Sequence, residues 1–145
     1  MRQRKSFSVK LTIHNKGGFF MQRLELEAAW DKTIAPADRK VIIDLFNQTK
    51  NKQTESIVLL PIRQALNHRN DLLATVLLHN FTDSVFSFEA IDLAYLENDR
   101  MIAKDHFSFP DLTLPKETSM PWTFIFPEST RVEGPSLKNS KLCFL

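Results

Sequence analysis

The chain has 145 residues, 43% hydrophobic and 25% charged, a composition expected to fold around a core and to be neither disordered nor membrane-embedded. Three glycines leave no spacing for a phosphate-binding loop, a dinucleotide fingerprint or a nucleophile elbow, and one cysteine excludes an internal disulfide or a paired-cysteine zinc site. The net charge of +2 is unevenly spread: residues 1–10 carry four bases and no acid, while residues 71–130 carry ten acids against three bases.

The basic start is followed by alternating polar residues in place of an apolar stretch, so no secretory signal is expected there. Phe7, Val9, Leu11 and Ile13 alternate with polar neighbours from Ser6 to His14, the period of a strand with one buried face. Asn15-Lys16-Gly17-Gly18 is turn chemistry, and Leu24, Leu26, Ala28 and Trp30 resume the alternation, so an N-terminal hairpin is predicted. Over residues 37–48 the period changes. Val41, Ile42, Leu45 and Phe46 form one helical stripe, with Pro36 and Asp38 suited to its first turn.

From Ile57 onward the chain reads as strands. Pro61 marks a strand start or an edge, because it cannot donate to a ladder. Leu72 to Asn80 is apolar on both faces, as a central strand would be. Turns at Arg69-Asn70-Asp71, Phe81 to Ser84, Glu97 to Arg100 and Pro115 to Ser119 separate further strands, the last ending at Trp122, Phe124 and Phe126. After Pro127 the pattern fades. The expected fold is mainly β, an immunoglobulin-like antiparallel β-sandwich with an N-terminal hairpin and one short helix, about residues 37–48. One domain is expected over residues 1–130, followed by a C-terminal tail over 131–145.

Reactive chemistry is sparse. His14, His68, His79 and His106 lack the short spacing of a zinc motif, and the carboxylates are scattered among strands and turns. Glu97-Asn98-Asp99 lacks the glycine and distal glutamate of a calcium loop. A site assembled from His68, His79, Asp83 or Glu89 is the only enzymatic alternative, so no catalytic residue, metal or cofactor is expected. Two sequons, at Asn47 and Asn80, matter only in an extracellular eukaryotic setting. Cys143 is expected to be a free thiol.

The expected functional surface is therefore backbone and charge. Outer strands expose unpaired N–H and C=O groups to which another strand can add. Arg2, Arg4, Lys5 and Lys10 are the candidate partner-binding residues, steering an acidic protein surface or touching anionic lipid. Nucleic acid is not expected, because the acidic stretch 71–130 would repel it.

Residues from about Leu24 to Pro127 resemble the SLAP domain of the accessory Sec system S-layer assembly proteins in Bacillus-type bacteria. The resemblance is carried by Trp30-Asp31-Lys32-Thr33-Ile34 with Pro36-Ala37-Asp38, by Leu45-Phe46-Asn47, and by Leu60-Pro61-Ile62-Arg63 with Leu66-Asn67-His68. It continues through Asp71 to Asn80, Phe86-Ser87-Phe88-Glu89, Ile102-Ala103 and Thr118 to Pro127. What it implies is a non-enzymatic protein assisting accessory Sec-dependent export and assembly of S-layer proteins. Its partners would be accessory Sec components or S-layer precursors, met in the cytoplasm or at the inner face of the membrane. The alternative is a small self-assembling structural protein of the cell envelope, homo-oligomeric through its edge strands.

Overall fold

The computed structural model describes residues 9–12, 22–51, 54 and 56–145, and of residues 9–12 the backbone alone. The protein is mainly β. In chain order its elements are β1 (Val9–Thr12), β2 (Arg23–Leu26), α1 (Ala28–Thr33), α2 (Pro36–Thr49), β3 (Ile57–Leu66), β4 (Leu72–Asn80) and β5 (Phe86–Ser87). Then follow β6 (Ile91–Glu97), β7 (Arg100–Phe107), β8 (Thr113–Leu114), β9 (Thr118–Phe126), a 3-10 turn at Glu128–Thr130, and β10 (Ser140–Phe144). The strands form a five-stranded sheet in the order β1-β2-β9-β4-β3, a three-stranded sheet β10-β6-β7, and the pair β5-β8.

Two compact units divide the chain. One comprises Met1–Val58, Leu77–Phe86 and Thr113–Pro121; the other comprises Leu59–Val76, Ser87–Leu112 and Trp122–Leu145.

In the first unit β1 and β2 pair antiparallel as the hairpin pattern predicts, Val9 opposite Leu26 and Thr12 opposite Arg23. The predicted turn at Asn15 to Gly18 lies outside the described residues. The second strand ends sooner than its alternation suggests. Glu27 turns its carboxylate onto the Ala29 N–H at 2.9 Å, capping α1, and Trp30 lies in that helix and not in a strand. Two alanines after a capping acid favour the helix more than two further alternating residues favour the strand. Pro36, whose missing N–H costs nothing in a first turn, then opens α2. Ile42 and Phe46 supply the buried stripe of α2, while Val41 stays exposed.

β2 lies parallel to β9, with Arg23 beside Thr118 and Leu24 beside Ser119, which departs from an all-antiparallel sheet. Only strands joined by a tight turn are compelled to run antiparallel, and some ninety residues separate these two in sequence.

The second unit has two packed layers. Tyr95 of β6 meets Phe126 of β9 at 6.2 Å between ring centroids, and Phe107 of β7 meets Phe124 and Phe126 edge-on at 5.2 and 5.1 Å. Phe88 and Phe109 pack on Phe124, and Phe109 also meets Trp122 edge-on at 5.6 Å. Edge-to-face contacts set the positive rim of one ring on the negative face of another. This is an open sandwich. The hairpin of β6 and β7 turns through Asn98 and Asp99, both at positive φ (51° and 63°), the backbone of a type I′ turn. One extra residue in β7, between Tyr95–Ala103 and Leu96–Met101 in the ladder, makes a bulge that leaves Ile102 buried.

The expected tail is corrected by the structure. Residues 140–144 form β10 and pair antiparallel with β6, from Ser140 opposite Glu97 to Phe144 opposite Leu93, with Leu142 buried. The intervening stretch has no period of its own because it is held by side-chain bonds, described below. The position of β4 agrees with its sequence: it lies between β9 and β3, and its last five residues are all buried.

Phe124 has no exposed surface and touches three aromatic rings, so Phe124→Ala is expected to cost about 3–5 kcal/mol in urea denaturation. Ile125→Ala, at a side chain 46% exposed one residue on, is expected to stay within about 0.5–1 kcal/mol of the parent.

Candidate functional site

Among the described residues of the first unit, a dense polar constellation surrounds His79, at the buried end of β4. Its ring lies 4.7 Å from that of Phe81, nearly parallel, and 6.1 Å from that of Phe46 on α2. Nε2 is 2.8 Å from Thr49 Oγ1, and Nδ1 is 2.5 Å from Ser119 Oγ. Directions follow from the neighbours. Thr49 spends its only hydroxyl proton on Leu45 O at 2.7 Å, so it accepts from His79 Nε2–H. Nδ1 then accepts from the Ser119 hydroxyl, whose oxygen accepts in turn from Gln22 Nε2 at 3.0 Å. The same Gln22 amide donates to Asn80 O at 3.1 Å.

One directed chain of hydrogen bonds therefore runs from Gln22 through Ser119 and His79 to Thr49 and Leu45. Burial pushes the His79 pKa down to about 4, in keeping with a neutral imidazole. A serine donating to a histidine is the pairing of an activated nucleophile. Here both members are wholly buried, and the group orienting the far ring nitrogen is a hydroxyl instead of a carboxylate. The arrangement ties α2, β4, β9 and the entry to β2 together.

Asn80 extends the cluster. Its Nδ2 donates to Ser84 O, Leu114 O and Pro115 O at 2.9 to 3.1 Å, and its Oδ1 accepts from the Thr82 N–H and hydroxyl. This sequon asparagine is enclosed and its amide is fully engaged, whereas Asn47 is exposed on α2.

In the second unit the notable group is Glu97, a buried carboxylate at the end of β6. Tyr95 Oη donates to it at 2.6 Å, Ser136 through its N–H at 2.8 Å and hydroxyl at 3.1 Å, and Leu137 through its N–H at 2.8 Å. Burial alone would raise its pKa. The donated bonds, Tyr95 first and then Ser136 and Leu137, outweigh burial and hold it below the usual carboxylate range. Burial, followed by the neighbouring Glu97, pushes the Tyr95 hydroxyl well above its ordinary value. Glu97 is thus the clasp that fastens residues 136–137, just ahead of β10. The turn predicted over Glu97 to Arg100 gives no sign of this burial; Ser136 lies 39 residues on, so no local spacing signals the contact.

The remaining candidates are dispersed. His68, Asp83 and Glu89 are exposed, and His106 is an exposed neighbour of Asp92 at 2.9 Å. Among the described residues no group of three or more histidine, cysteine or acidic side chains is placed to hold a metal ion. No helix among them is long and apolar enough to cross a membrane. Arg2, Arg4 and Lys5 lie outside the described residues. Lys10 stands opposite Glu25 in the β1–β2 register, with its side chain outside the description. On α2 an open groove is lined by Ile34, Pro36, Arg39, Lys40, Ile43 and Asp44, its rim braced by Arg39 on Asp31 at 2.6 Å.

Set against known proteins, residues 24–144 match the family model described as the SLAP domain. No curated protein and no solved structure matches the chain.

Two acid responses are expected. The unfolded chain protonates His79 near 6.5 and the folded chain only near 4, so the neutral form's contribution is complete above pH 6.5 and lost as pH falls toward 4. The loss is on the order of 3 kcal/mol, read from urea midpoints against pH, and His79→Gln flattens that slope. Glu97, with its pKa lowered, contributes above its unfolded pKa of 4.5 and loses that contribution at still lower pH. Glu97→Gln leaves buried donors facing an amide and is expected to cost about 1–3 kcal/mol at neutral pH.

Proposed function

Because the chain belongs to the SLAP domain family, we propose that it is a non-enzymatic interaction module that assists accessory Sec-dependent secretion and assembly of S-layer proteins. The observation that carries this reading is the family match, which spans 121 of the 145 residues. Its partners are accessory Sec components or S-layer precursors, met on the cytoplasmic side and at the inner face of the membrane.

The physical features fit such a role. The most organised polar groups, around His79 and Glu97, are consumed in holding the fold. What is turned outward is strand edge and charge. Among the described residues β3, ten residues long, is an outer strand of the five-stranded sheet and β10 of the three-stranded one, and an outer strand can accept an extended segment of another chain. Main-chain pairing recognises an extended chain with little demand on its sequence. The basic residues Arg2, Arg4, Lys5 and Lys10 add long-range attraction to acidic surfaces.

Affinity capture on the tagged protein from its native cells, with crosslinking, is expected to enrich an accessory Sec component or an S-layer precursor. Recovery of neither would refute the reading. Reversing the charge of Arg2, Arg4, Lys5 and Lys10 together is expected to weaken the captured complex about tenfold at low salt, at a few tenths of a kcal/mol per charge. The difference is expected to shrink at high salt, as titration calorimetry would show.

A further inference from the structure

Past β9 the chain is anchored in two separate sets of contacts. Glu128 donates its N–H to the Asp71 carboxylate at 3.1 Å, and Arg131 bridges to Ala103 and reaches Asn70 O at 2.9 Å. Val132 donates its N–H to Ile102 O at 2.9 Å, and Glu133 meets Arg100 at 2.6 Å. These ties hold residues 128–133 to β7 and to the turn before β4. From Ser136 onward the partners change. Ser136 and Leu137 donate to Glu97, Asn139 O accepts from Asn98 N–H at 3.0 Å, and Lys141 meets Asp99 at 3.0 Å. Ser140 to Phe144 pair with Glu97 to Leu93, and Leu145 donates its N–H to Asp92 O at 2.9 Å. All of these partners lie on β6 or in the turn that follows it.

Gly134 and Pro135 stand between the two sets. Beyond its chain neighbours, a side chain at Gly134 would meet nothing within 4 Å, and among the described residues neither residue makes a hydrogen bond. The sheet order β10-β6-β7 means that these two residues carry the chain across the end of the β6–β7 hairpin. A proline disfavours helical backbone in the residue before it, so the local preference at Gly134 is an extended run and not a return.

We propose that residues 136–144 exchange between two copies of this chain, each copy's β10 completing the three-stranded sheet of the other, with Gly134 and Pro135 as the hinge. The occupant is fixed by what β6 already holds: the segment that fits its edge and the Glu97 clasp is this chain's own. Exchange remakes each of those bonds between copies and asks for a new backbone direction only at the hinge. The clasp makes the segment one unit, because Glu97 grips residues 136–137 and so sets the register in which β10 arrives. The outward side of β10 takes no part. The inference therefore stands apart from the proposed role in secretion: loss of the exchange leaves capture of Sec components unaffected, and the reverse.

A short hinge presents its own strand at an effective concentration on the order of 1 mM, so the exchanged dimer is expected to form with a Kd of about that size. The 145-residue chain, taken at about 1 mM to its urea midpoint and returned to water, is expected to elute from a sizing column as monomer and dimer. Ala94→Cys identifies the dimer. Position 94 stands opposite Cys143 in the β10–β6 ladder, at a separation that a disulfide spans. Diamide takes up the two thiol hydrogens, becoming the hydrazine, as the S–S bond forms. In the monomer that bond closes within one chain; in the exchanged dimer it joins two, and the oxidised dimer then runs as a covalent pair in denaturing gels without reductant. Deleting Gly134 and Pro135 together leaves too little chain to cross the hairpin end, and this variant is expected to be dimeric even at micromolar concentration. Absence of a dimer in the refolded parent overturns the proposal. So does a dimer whose disulfide in Ala94→Cys stays within single chains, or a folded monomer of the deletion variant.

Discussion

Successive side chains of a strand leave on opposite faces, and β9 shows most plainly what that constraint does here. In the second unit its even-numbered residues Trp122, Phe124 and Phe126 enter the aromatic layer. Thr123, of the other parity, pairs its hydroxyl with Thr75 at 2.8 Å. In the first unit the odd-numbered Ser119 is the oxygen that His79 and Gln22 both require. A register shift of one residue would exchange these sets, sending phenylalanines to the polar side and a hydroxyl into the ring cluster. The strand therefore has one workable register.

Buried polar groups in this protein serve as fasteners. A neutral histidine, a serine and a threonine satisfy one another in a single direction, and a carboxylate is satisfied by four donors. Each is stable only when complete, since an unmet buried donor or acceptor costs more than a met one contributes. Both lose their stabilising protonation state in acid. The fold consequently resists small changes at these points.

The elements with strong periodic patterns were legible in the amino-acid order. α2 was announced by Pro36, Asp38 and the stripe of Ile42 and Phe46, β4 by apolar residues on both faces, and the β1–β2 hairpin by alternation around a glycine turn. Residues 27–33 were misread because alternation over a few residues is weak beside a capping acid and two alanines. β10 was missed for a similar reason. Its five residues alternate only once around Leu142, and the segment before it is fixed by Glu97 from far along the chain.

Local composition determined that this chain would be largely strand, where its helix and tight turns would fall, and which family it would resemble, because those properties depend on neighbours a few residues apart. Tertiary structure alone decided that β2 runs parallel to β9, that His79 and Glu97 become closed polar clasps, and that the final residues complete a sheet. Those outcomes turn on partners thirty to a hundred positions away, and no spacing within a short window encodes which distant hydroxyl or amide will meet a buried acid or imidazole.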